Sequence, residues 1–137
     1  MDVGAWLALV YEGQPRHQAV LAWKARTDDA LVLCRVTQMS LLRLLTNPAI
    51  MAEDVLTRVQ AWTVLDGLTS DSQVAWSSEP AALEPLWRSF SARDEQSHKL
   101  WTDDYLAAFA LAGSIPFATL DRRIEARYPA VEVITLG

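Results

Sequence analysis

The stretch "KLWTDDYLAAFALAGSIPFATLDRR", residues 99–123, contains the two patterns that decide the fold. An apolar segment of helical length begins at the adjacent carboxylates Asp103 and Asp104, which predicts a helix from Asp103 to Ala112 with Thr102 as its N-cap. The run "IPFATL" then has the composition of a buried strand, and Asp121 follows it directly. Acids at the ends of apolar elements leave two explanations open, helix capping and a metal site.

The rest of the chain repeats this alternation of short apolar runs and helix-length segments. It predicts strands near residues 31–35, 73–76, 116–120 and 131–136, and a short strand at the N-terminus. Consecutive parallel strands require crossover helices between them. The pattern therefore predicts an α/β protein, a three-layer α/β/α sandwich with a central parallel sheet, forming a single domain over residues 1–137.

Composition limits the classes of function. The net charge of −5 argues against a protein that binds nucleic acid through overall positive charge. It does not exclude a nuclease whose acids surround a metal ion. The sequence has no long apolar segment and no leader with a basic flank, and its single cysteine excludes an internal disulfide. We therefore expect a reduced, cytoplasmic protein without a membrane partner.

Three of the acids are expected to meet at one edge of the sheet. Sites in parallel sheets form beyond the carboxyl ends of the strands, so Asp2, Asp103 and Asp121 should lie close enough to share an ion. Asp104 should point away from them, and Asp104→Asn should cost only a small helix-dipole term. Each acid alone is more often a cap or a turn residue. Converging carboxylates repel one another, however, and the usual remedy is a hard divalent cation such as Mg²⁺, which takes oxygen ligands.

Four segments carry a resemblance to a known family. "MDVGAW", "TQMSLLRLLTNP", "LWTDDYLAAFALA" and "FATLDRRI" resemble, in order and spacing, the PIN-domain ribonucleases of the VapC toxin type. The resemblance implies an endoribonuclease that uses Mg²⁺ or Mn²⁺, with Asp2, Asp103 and Asp121 as catalytic residues and metal ligands. It further implies an RNA substrate and a cognate VapB-like antitoxin. Thr119 is then expected to orient an acid or a metal-bound water.

Three positions depart from the family pattern. Gly4 stands where the family usually has Asn, Arg43 where it usually has Glu, and Arg123 where a further acid is sometimes found. Three acids can hold one ion with waters, whereas a second ion is not provided for. Arg43 is interpreted as a charge partner for the acids or a contact to RNA phosphate. Arg122 and Arg123 are interpreted as phosphate contacts beside the site.

The sequence thus supports three hypotheses of different classes. The first is the metal-dependent endoribonuclease toxin. The second is a catalytically degenerate PIN domain that binds RNA or protein, which Gly4 and Arg43 motivate. The third is an unrelated α/β interaction module whose acids are helix caps. Six tryptophans and the leucine-rich helices exceed the needs of a small core, so a homodimer is also expected.

Overall fold

The computed structural model describes all residues from 1 to 137. Eight α-helices, one 3₁₀ turn at Ala52–Asp54 and four short strands make up the chain. The helices are α1 (Val3–Val10), α2 (His17–Arg26), α3 (Arg35–Leu45), α4 (Pro48–Met51), α5 (Arg58–Thr69), α6 (Leu83–Ser91), α7 (Trp101–Ala112) and α8 (Ile124–Arg127). The strands are β1 (Leu31–Leu33), β2 (Val74–Trp76), β3 (Phe117–Thr119) and β4 (Val133–Thr135). None of the helices has the length and apolar character needed to cross a membrane.

The chain folds as two compact units. The first contains Met1, residues 3–78 and Gly137, and the second contains Asp2 and residues 79–136. In the first unit, β1 and β2 pair in parallel with Leu31 opposite Val74, and α3 packs against α1 and α5. The crossover from β1 to β2 runs through α3, α4 and α5, as parallel pairing requires.

The second unit is built around α7. Every residue from Asp104 to Ala110 is buried, and α6 packs along this helix. The Trp87 ring on α6 meets Tyr105 of α7 edge-on, with 5.4 Å between ring centroids, a preferred aromatic geometry. Strands β3 and β4 pair in parallel, with Phe117 opposite Val133, and α8 lies in the crossover between them.

The observed elements confirm the α/β class, the parallel pairing and the positions of the four main strands. The expected N-terminal strand was wrong, because α1, which begins at Val3, is the first element and no strand precedes it. In its place, the Asp2 N–H donates one hydrogen bond to the Ala118 carbonyl at 3.0 Å. Thr102 is not the cap of α7 either. That helix begins two residues earlier than predicted, at Trp101, after Leu100, which makes no side-chain capping bond.

Candidate active site

One buried hydroxyl group holds two of the predicted acids at the end of β3. Thr119 is fully buried, and its Oγ1 donates to Asp2 Oδ2. The same Oγ1 accepts the backbone N–H of Asp121 at 2.9 Å. Asp2 is further fixed by its backbone bond to Ala118, so the acid that precedes α1 is placed beside the acid that follows β3. These two bonds are what supports the orienting role expected of Thr119, which stays a prediction.

Asp103 is a strongly perturbed acid of this group. It lies in the first turn of α7, and its pKa is raised from 3.8 to about 6. Burial of the carboxyl group is the largest cause, followed by the negative charges of Asp2, Asp121 and Asp104, while Arg123 acts in the opposite direction. Asp103 is therefore within the electrostatic influence of both other predicted site acids. A carboxyl group disturbed by burial and by specific like charges is typical of functional sites.

Asp121 is engaged by a cation of its own loop. Arg123 Nε donates to Asp121 Oδ1 at 3.0 Å, and Arg123 Nη2 donates to Oδ2 at 2.9 Å. The Arg123 backbone N–H also donates to Oδ1. These bonds hold the pKa of Asp121 below its ordinary value. The Arg123 side chain is nevertheless 90% exposed, so this bidentate pair faces the solvent.

Asp104 belongs to a different set of contacts. Only 3% of it is exposed, and its Oδ1 accepts the Tyr128 hydroxyl. The same oxygen lies 3.5 Å from Arg127 Nε, and Arg127 Nη2 in turn pairs with Glu95 at 2.9 Å. Burial and the bond to Asp104 raise the pKa of the fully buried Tyr128. The expectation that Asp104 carries only a small dipole role was therefore wrong, because the carboxylate is a buried hydrogen-bond partner.

A cleft of about 690 Å³ opens at Asp103 and Asp121. Besides these acids, four cations line it: Arg93, Lys99, Arg123 and Arg127. Sequence reasoning missed Arg93 and Lys99, which come from the polar loop before α7. Only their closeness in sequence to Asp103 could have indicated a role at the site. That indication is weak, because most cations in loops are simply solvated.

Two predicted residues lie elsewhere. Arg122 is exposed, is not among the residues lining the cleft, and makes no ion pair. Arg43 belongs to the first unit, where it lines a groove together with Met39, Arg58 and Trp62. The roles expected of Arg43 and Arg122 toward the acids or the substrate stay predictions.

The three acids fit a divalent cation by their chemistry. All three offer carboxylate oxygens, which Mg²⁺ and Mn²⁺ prefer as ligands. Nowhere in residues 1–137 does a group of three or more His, Cys, Asp or Glu side chains stand arranged to hold a metal ion. Asp121, in particular, has both carboxylate oxygens bonded by Arg123. Arg123 would compete with a metal ion for Asp121, and the metal-binding role of Asp2, Asp103 and Asp121 stays a prediction.

The chain belongs to the PIN domain family. The sequence model of that family matches residues 1–128, which include all three predicted acids.

Individual relatives agree with this family. The chain is 36% identical to ribonuclease VapC41 of Mycobacterium tuberculosis, in each of two strains, over 99% of this chain and 97% of the relative. Among solved structures, it resembles the M. tuberculosis toxin VapC20, described as cleaving the sarcin–ricin loop. The TM-score is 0.65, with 91% of each chain covered and 18% sequence identity. At that identity the second likeness concerns the fold alone.

Proposed function

We propose that this protein is a VapC-type toxin that hydrolyses RNA phosphodiester bonds with the help of Mg²⁺ or Mn²⁺. The observation that carries the proposal is Asp103, whose pKa is raised to about 6 under the charges of Asp2 and Asp121, in a cleft that is also lined by cations. Such a site suits a substrate that is itself an anion. The near full-length likeness to a ribonuclease supports the same reaction class.

The surroundings of each acid indicate its role in the proposed reaction. A bound Mg²⁺ or Mn²⁺ would supply an activated water and stabilise the charge that develops on the phosphate. The Thr119 hydroxyl bonds Asp2 and the backbone N–H of Asp121, and the charges of both acids help to raise the pKa of Asp103 on α7. Asp103 must be ionised to act as a ligand, and near neutral pH its pKa of about 6 leaves it mostly ionised. The products would carry 5′-phosphate and 3′-hydroxyl ends.

Cleavage of RNA by Asp103→Asn tests this proposal. With Mn²⁺ present, we expect the variant to lose about 100-fold or more in rate, because a misplaced reacting group alone costs roughly that much. Asp94→Asn is the matched control, since Asp94 is an exposed acid outside the lining of the cleft. Mn²⁺ should also raise the melting temperature of the wild type and of Asp94→Asn, and raise that of Asp103→Asn much less. Metal-independent cleavage that survives Asp103→Asn would refute the proposal.

Two observations favour a second function, the degenerate PIN domain. Arg123 bonds both carboxylate oxygens of Asp121, and Arg43 stands where the family usually has an acid. Such a domain would bind RNA or protein without cleaving it. It predicts that the wild type shows neither an Mn²⁺-dependent melting shift nor cleavage, and that Arg43→Glu gains both.

The remaining expectations belong to this proposal. The partners are a VapB-like antitoxin, which would lay an amphipathic segment on an apolar surface and direct a basic residue to the acids, and a second copy of the chain in a homodimer. The protein would act on RNA in the cytoplasm. A single domain over residues 1–137 also stays a prediction, supported by one family model that spans residues 1–128.

A further inference from the structure

The loop between α6 and α7 brings two unpaired cations to the cleft. Arg93 and Lys99 both line it, and neither side chain makes an ion pair or a hydrogen bond. The other two cations of the lining behave differently. Arg123 is bonded to Asp121, and Arg127 is bonded to Glu95. Two of the four cations are therefore already committed to acids of the protein, and two remain available.

The acids of the loop itself do not pair with Arg93 and Lys99. The loop carries two acids, Asp94 and Glu95, and Glu95 is taken by Arg127. Asp94 is exposed and pairs with neither loop cation. On a chain with a net charge of −5, the cleft is nevertheless lined by four cations against two carboxylates. Arg123 and Arg127 are offset by the acids that they bond. Arg93 and Lys99 are therefore the cations of this lining that are free to attract an anionic ligand.

We propose that Arg93 and Lys99 bind backbone phosphates of an RNA strand beside the bond placed at Asp103 and Asp121. This inference rests on the proposed function. Guanidinium and ammonium groups are the side chains that hold phosphate, Arg through its planar fork and Lys as a point charge. Lys99 precedes Asp103 by four residues, so an RNA strand bound by Lys99 would lie near the first turn of α7. Ser97, which also lines the cleft, adds a neutral hydroxyl donor.

Binding of a fluorescently labelled single-stranded RNA, followed by anisotropy in EDTA over a range of salt concentrations, tests the proposal without cleavage. Each of Arg93→Ala and Lys99→Ala should weaken binding about three- to tenfold. For a lost phosphate contact to a single strand, the slope of log affinity against log salt should fall by about 0.7. Arg88→Ala is the matched control, since Arg88 is an exposed cation of the same unit outside the lining of the cleft. It should change neither quantity.

The outcomes separate this inference from the proposed function. Equal affinity and salt slope for the wild type and the double variant Arg93→Ala/Lys99→Ala would overturn the inference, as would a wild type that binds no RNA in EDTA. Cleavage by the wild type with Mn²⁺ would leave the proposed function standing in both cases. Conversely, RNA binding that depends on Arg93 and Lys99, without any cleavage, would support the inference and refute the nuclease. Thermal melting identifies a variant that fails to fold, in which case Arg93→Gln and Lys99→Gln replace the alanine variants.

Discussion

At the scale of single residues, Asp103 connects the pH dependence of stability with metal binding. Its pKa in the folded protein is about 6, against an ordinary value of 3.8. Below the lower value the carboxyl is protonated in both the folded and the unfolded state. As the pH rises between the two values, the unfolded state loses its proton first. The raised pKa therefore lowers the stability of the folded protein progressively across this window, and the loss is complete above it.

Asp103→Asn should remove this loss. Without metal at about pH 8, we expect the variant to be more stable than the wild type by on the order of 1 kcal/mol. A difference of one in pKa corresponds to about 1.4 kcal/mol, and partial exposure reduces the effect. Near pH 4 the two proteins should have the same stability. Urea unfolding in EDTA at both pH values measures this, and a variant that is less stable at the higher pH would contradict the role assigned to Asp103.

Arg123 should compete with metal ions for Asp121. Arg123→Ala removes a cation that bonds both carboxylate oxygens, so Mn²⁺ should bind more tightly. The pair is exposed, and exposed pairs are weak, so we expect an increase of about two- to fivefold. Isothermal titration calorimetry with Mn²⁺ measures it, with Arg88→Ala as the control for the lost charge. Weaker Mn²⁺ binding by Arg123→Ala would mean that Arg123 supports the metal site instead.

At the scale of elements, a buried hydrogen bond ties α7 to the segment that follows α8. Tyr128→Phe removes the hydroxyl that bonds Asp104, leaving the buried carboxylate with Arg127 alone. We expect the free energy of unfolding to fall by about 1–3 kcal/mol, the usual cost of a buried polar group that loses its partner. Tyr11→Phe is the matched control, because it breaks a Tyr–Asp bond that is exposed. Urea unfolding should show a clearly smaller loss for the control.

The end of β3 should depend on the Thr119 hydroxyl in the same way. Thr119→Val keeps the shape of the side chain but breaks its bonds to Asp2 and to the Asp121 N–H. Loss of a group that orients ligands typically weakens metal binding about 10- to 100-fold, and we expect Mn²⁺ affinity to fall by about tenfold. Thr119→Ser keeps the hydroxyl and should retain most of the affinity. Equal Mn²⁺ affinity in Thr119→Val and the wild type would show that Thr119 does not orient the acids.

At the scale of the whole molecule, exposed apolar side chains support the predicted homodimer. Met39 on α3 and Trp62 on α5 are about half exposed and line one groove, and Val59 on α5 is 78% exposed. Such patches mark interaction surfaces. Sedimentation at tens of micromolar should show a dimer, and Trp62→Glu should shift it to a monomer. Trp101→Glu, which changes an exposed tryptophan of the second unit, should leave the dimer intact. A monomeric wild type would refute the prediction.

The sequence by itself determined the α/β class, the parallel strands, the buried helix α7 and the family. Each of these depends on local patterns, the periodicity of apolar residues and the short motifs around Asp2, Asp103 and Asp121, which can be recognised before the chain folds. The sequence also indicated that Asp103 and Asp104 have different surroundings, because successive residues of a helix point in different directions.

Only the tertiary structure decided what these acids contact. Asp104 bonds a tyrosine that lies 24 positions further along the chain, and Thr119 bonds an aspartate 117 positions earlier. Arg123 bonds Asp121, and Arg93 and Lys99 line the cleft from a loop whose sequence has no periodic pattern. No periodicity relates Asp104 to Tyr128 or Asp2 to Thr119, which lie far apart in sequence. Their side chains meet because elements pack to bury apolar surface, and buried polar groups then require partners within reach.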